Sequence, residues 1–74
     1  MNVTLYSLPG KHTPSVRTRS HLAKLGIEFT ELPLDGFKAQ WAQSQGLTSM
    51  PIVVAEGHQP WCGYQPELLD GLVS

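Results

Sequence analysis

Reactive side chains are few in this chain and sit in two places. His12 and Ser15 stand three residues apart, just after the turn pair Pro9-Gly10 and where a helix is expected to begin. An imidazole titrates near neutral pH and could act as a general base. No nucleophile other than Ser15, and no orienting carboxylate, is identifiable beside His12, so hydrolysis by this pair is weakly supported. Ser15 is equally explained by ordinary hydrogen bonding at a helix start. The second place is Cys62, the only cysteine in 74 residues. It could support single-thiol exchange, yet unpaired cysteine is commonly a small buried hydrophobe, and no basic residue adjoins it in sequence to stabilise a thiolate. Three scattered histidines and one thiol lack metal-ligand spacing, so no metal site is expected, and His21 and His58 read as surface positions on a helix and a turn. Lys11 and the free amides after Thr13 could hold a small anion at the helix N-terminus, a common property that says little about function.

Composition narrows the classes further. The chain is 41% hydrophobic and 15% charged with a formal net charge of −1, so no basic field attracts nucleic acid or anionic lipid. Its longest apolar run is a few residues, and Met1–Tyr6 has no basic segment followed by a long apolar one. Neither a membrane span nor a signal peptide is expected, and the lone cysteine points to a reducing, cytoplasmic setting. One small domain over residues 1–74 is all that this length accommodates.

The elements that must position these residues can be read in order. Val3–Leu8 is a first strand. Thr13-Pro14 starts a helix, with threonine as the expected cap and proline in the first turn. Val16, Leu22, Ala23 and Leu25 then suit one buried stripe, and Gly26 ends the helix. Ile27–Leu34 is a second strand, with Ile27, Phe29 and Glu31 on one side. The helix before it is long enough for a crossover, so the strand should run parallel to the first. Asp35 can cap a second helix from Phe37 to about Gln45, with Phe37, Trp41 and Ala42 inward and Gly46 as its stop. Met50–Ala55 is the strongest strand signal, and it pairs as a hairpin with a shorter strand at Gln59–Cys62. A last helix from Pro66 to about Val73 carries Leu68, Leu69 and Leu72. The order is βαβαββα, an α/β fold with a four-stranded mixed sheet and three helices.

That order is the minimal thioredoxin-like fold, and four segments make the resemblance specific. Leu5-Tyr6-Ser7, Lys24-Leu25-Gly26-Ile27-Glu28-Phe29, Thr48-Ser49-Met50-Pro51-Ile52-Val53-Val54 and Trp61-Cys62-Gly63-Tyr64-Gln65-Pro66-Glu67-Leu68 resemble successive landmarks of glutaredoxin-like proteins. The last resembles the tryptophan-serine-glycine-phenylalanine-arginine-proline-aspartate signature of NrdH-redoxins, small electron donors to ribonucleotide reductase that thioredoxin reductase reduces. The resemblance covers nearly the whole chain. It implies a cis peptide at Met50-Pro51 beside the active-site junction, and a binding groove of Thr13, Pro14, Met50, Pro51, Trp61, Gly63 and Tyr64. It implies no cofactor. It also implies partners among thioredoxin reductase, ribonucleotide reductase or a peptide segment of another protein.

The departures matter as much. Counting back from Gly26, the family's two cysteines fall on His12 and Ser15, giving His12-Thr13-Pro14-Ser15 in place of Cys-x-x-Cys; a second register, Lys11 to Pro14, supplies no thiol either. Dithiol exchange needs an attacking thiolate and a resolving thiol, and a serine hydroxyl replaces neither. The leading expectation is a domain without dithiol activity that keeps its groove for binding. One alternative is a single-thiol site at Cys62. Another is a glutathione-binding domain with Ser15 at the thiol, which lacks the Glu/Gln-Ser pair expected after the hairpin, where Gly63-Tyr64-Gln65 stands instead.

Overall fold

The computed structural model describes residues 2–7 and 12–73. Leu8, the Pro9-Gly10 turn and Lys11, with its register and anion site, lie outside the described residues. The elements run β1 (Val3–Tyr6), α1 (Thr13–Lys24), β2 (Thr30–Leu32), α2 (Gly36–Ser44), β3 (Ile52–Ala55), β4 (Trp61–Cys62) and α3 (Pro66–Asp70). The sheet order is β2-β1-β3-β4, with β1 parallel to β2 and antiparallel to β3, and β3 antiparallel to β4.

Side chains on a strand alternate between faces, and here both faces are covered. Val3 and Leu5 of β1, Val53 and Ala55 of β3 and Trp61 of β4 share one side with Leu22, Leu69 and Leu72. Tyr6 and Ile52 share the other with Ala42, flanked by Trp41, Met50, Val54 and Cys62. The registers Leu5↔Val53↔Trp61 and Tyr6↔Ile52↔Cys62 build these two rows.

Both longer helices end as their glycines imply. Gly26 (φ 73°) donates to Ala23 and Ile27 to Leu22, while Gly46 (φ 76°) donates to Gln43 and Leu47 to Ala42, the paired bonds of a Schellman stop in the left-handed conformation glycine adopts without strain. Asp35 caps α2 as expected, its Oδ1 accepting from the Lys38 amide at 2.8 Å.

Three expectations need correction. In α1 the buried side chains are Ser15, Thr18 and Leu22, with Leu25 half-buried beyond them, whereas Val16 and Ala23 face outward. The buried stripe follows helical spacing through small polar residues whose hydroxyls are satisfied locally, Thr18 by donating to the Pro14 carbonyl at 2.8 Å. Phe37 is 88% exposed, leaving Ala42 buried and Trp41 half-buried as the inner side of α2. Leu68 is also exposed, while Leu69 and Leu72 are buried.

The second strand is shorter than expected and lies at the sheet edge, all three residues exposed. Its register puts Glu31 opposite Leu5, on the face that α1 covers. There Arg19 Nε donates to both carboxylate oxygens at 3.0 Å and Ser7 Oγ donates to Oε2 at 2.6 Å. The Arg19 bonds, then the Ser7 bond, hold the Glu31 carboxyl below its ordinary range. A depressed carboxyl stabilises the fold above its unfolded pKa, about 4.3, and that contribution disappears as pH falls through the folded value. Both partners are about a third exposed, so Glu31→Gln should cost at most about 1 kcal/mol at pH 7 and progressively less as pH falls through the folded value, read from denaturant midpoints.

Candidate functional site

The topology brings the motif segments to one end of the sheet. β1 ends at Tyr6, opposite Ile52 at the start of β3, which in turn faces Cys62 at the end of β4. The Gly63 amide donates to the Pro51 carbonyl at 2.8 Å, tying the end of β4 to the residue before β3. The Met50-Pro51 peptide is cis.

His12 occupies the cap position of α1, with Thr13 and Pro14 as the first two helical residues, so the expected threonine cap is displaced by one. The His12 carbonyl accepts from the Val16 amide at 3.0 Å, and its ring turns back so that Nδ1 is hydrogen-bonded to Ser15 Oγ at 2.8 Å. Ser15 is 0% exposed. Spacing had placed this pair together, and the structure does so in a form unsuited to hydrolysis. The hydroxyl is closed off from substrate, and among the described residues no carboxylate is hydrogen-bonded to His12. The same burial keeps Ser15 from presenting its hydroxyl to a glutathione thiol.

The remaining groove residues divide. Thr13 is exposed, while Pro14, Met50, Gly63 and Tyr64 are half-buried. Pro51 is buried, and so is Trp61 at 7% exposure, on the face covered by α1 and α3. Trp61 is therefore core, turned inward by its register with Val53, and the little it exposes lines a shallow pocket with His58, Gln59 and Glu67, not with Met50. Cys62 points to the opposite face, half-buried beside the cluster of Tyr6, Ala42 and Ile52.

Two arrangements were missed in the sequence. Lys38 Nζ stands 5.1 Å from the Trp41 ring centre and 5.8 Å from that of Tyr6, within cation–π range. His21, expected at the surface, joins α1 to α3: Nε2 lies 2.7 Å from Asp70 Oδ1 and Nδ1 lies 2.9 Å from the Tyr64 hydroxyl. A carboxylate only accepts, so Nε2–H donates to Asp70, and in the neutral ring Nδ1 accepts from the Tyr64 O–H. Among the described residues no group of three or more histidine, cysteine, aspartate or glutamate side chains is placed to hold a metal ion, and no helix is long and apolar enough to cross a membrane.

A four-stranded mixed sheet with α1 and α3 on one face and α2 on the other is the thioredoxin-like fold of glutaredoxin-like proteins. Solved structures agree. The NrdH-redoxin of Escherichia coli, described as a glutaredoxin-like protein with a thioredoxin-like activity profile, superposes with a TM-score of 0.87 at 24% identity, over 97% of this chain and 95% of that one. The glutaredoxin of Archaeoglobus fulgidus gives a TM-score of 0.74 at 25% identity, over 96% and 84%. No protein-family model matches the chain. It is 32% identical over 74 residues to the Gene 56 protein of Mycobacterium phage L5, covering 96% of this chain and 71% of that protein. The chain belongs to the family of that phage protein, and its fold is that of the glutaredoxin-like redox proteins.

Proposed function

We propose that this chain is a glutaredoxin-like binding module that works without dithiol exchange, docking an extended segment of a protein partner through Thr13, Pro14, Met50, Gly63 and Tyr64. The observation that carries this reading is the His12–Ser15 hydrogen bond of 2.8 Å at the start of α1, where the resemblance to NrdH-redoxins would place two thiols. Exchange through a mixed disulfide requires an attacking and a resolving thiol, and the chain has one cysteine, turned toward the α2 face. Binding needs neither thiol: half-buried Met50 and Tyr64 supply apolar and aromatic contact. The likeness to NrdH-redoxin makes a cytoplasmic thioredoxin reductase or ribonucleotide reductase the partner of choice.

An NADPH-coupled thioredoxin-reductase assay with a disulfide substrate tests it. The unaltered protein and Cys62→Ser should both give no turnover, and the double variant His12→Cys, Ser15→Cys should gain it. Turnover by the unaltered protein that vanishes in Cys62→Ser would make Cys62 a working single thiol and overturn the binding-only reading.

A further inference from the structure

Four of the chain's five lysines and arginines lie among the described residues, and they divide in a telling way. Arg19 is paired with Glu31, and Lys38 stands over two aromatic rings. Arg17 and Lys24 have no partner among the described residues, and both line the same open groove of about 780 Å³ on the outer side of α1. Val16, Ala23 and the Tyr64 ring give this groove apolar surface, and Ser20 and His21 complete its lining. Among the described residues no carboxylate lines it; Asp70, outside the lining, is hydrogen-bonded to His21 Nε2. The same histidine fixes the Tyr64 hydroxyl, so the aromatic wall is held in place.

We infer that this groove is a second docking surface, one that receives an acidic extended segment of a partner protein. Two unpaired cations flanking apolar surface, in a chain whose net charge is −1, form a local site complementary to carboxylates separated by an apolar residue. The spacing narrows the ligand. Arg17 and Lys24 are seven residues apart, about 10.5 Å along the helix axis. On an extended strand one face recurs every second residue, so two same-face positions four residues apart span about 13 Å, within reach of the two long cationic side chains. Carboxylates four residues apart on one face, with an aliphatic side chain midway between them, match the groove. Two cations are too few for the phosphate tracking that nucleic-acid binding requires. The groove shares Tyr64 with the proposed docking end, but neither Arg17 nor Lys24 takes part in the His12–Ser15 pair, so the inference does not depend on the absence of thiol chemistry.

The test is fluorescence anisotropy on the full chain, with a labelled nonapeptide carrying two glutamates four residues apart and a leucine midway between them. The controls are its glutamine counterpart and a single-stranded oligodeoxynucleotide. The acidic peptide should bind at least about tenfold more tightly than the glutamine peptide and weaken as salt is raised. Lys24→Glu should weaken it about tenfold, and Arg17→Glu with Lys24→Glu should abolish it, whereas Lys38→Glu, which changes net charge equally but lies elsewhere, should leave it within about twofold. Circular dichroism verifies that each variant is folded. Absence of binding at millimolar peptide, equal binding of the two peptides, an equal loss in Lys38→Glu, or tighter binding of the oligonucleotide would each overturn the proposal. Redox turnover at His12 and Ser15 is read in a separate assay, so either reading can fail without the other.

Discussion

Leu22→Ala should be among the most damaging single changes in this protein, costing about 2–5 kcal/mol. Leu22 is fully buried and packs in the cluster that includes Val3, Leu5, Val53, Trp61 and Leu69, so truncation removes apolar contact from α1, three strands and α3 at once. At about 0.05–0.15 kcal/mol per residue, 74 residues supply roughly 4–11 kcal/mol in total, and the variant should stand near its unfolding threshold. Urea titration checks this, with a lower midpoint and an unchanged slope. Val16→Ala on the same helix is the control. Val16 is 40% exposed, so its loss should stay within about 0.5 kcal/mol. Equal costs at the two positions would mean that α1 presents a different face to the sheet.

That contrast also marks where the sequence was readable. β3 was evident because Ile52-Val53-Val54-Ala55 is an apolar run, and its hairpin partner followed from the turn after it. The phase of α1 was not evident, since apolar content favoured Val16 and Ala23. Burial instead follows Ser15, Thr18 and Leu22, and hydrogen bonds to His12 and Pro14 remove the penalty that would have argued against burying two hydroxyls. Phe37 misled in the opposite direction. It stands one turn before Trp41 in a nine-residue helix, beyond the part that packs on Tyr6 and Ile52, and so remains in solvent.

The site was legible wherever it depended on local spacing. His12 and Ser15 meet because three residues at a helix start bring side chain and cap together. The Asp70–His21–Tyr64 chain joins residues 49 and 43 apart, and only the packing of α3 beside α1 makes it. No sequence periodicity encodes such a pairing. Trp61 is different, because strand alternation carried the answer: in a hairpin register with Val53 it must share that residue's face, which is core.

Two substitutions at Trp61 separate a core role from a groove role. Trp61→Ala should cost about 3–5 kcal/mol, because it empties a buried aromatic site between the sheet and two helices. Trp61→Phe should cost far less, within about 1.5 kcal/mol. The indole Nε1 is buried with no hydrogen-bond partner among the described residues, and an unpaired buried N–H carries a penalty of about 1–3 kcal/mol. Phenylalanine loses ring volume but also removes that penalty, so the two effects oppose each other. Midpoints in urea should therefore place the phenylalanine variant close to the unaltered protein and the alanine variant far below it. Partner affinity at the His12–Met50 end should likewise be unchanged in Trp61→Phe, since the ring reaches no surface there. A phenylalanine variant that is fully stable but loses partner binding would return Trp61 to the groove; equal destabilisation by both substitutions would mean that the indole N–H is hydrogen-bonded in solution.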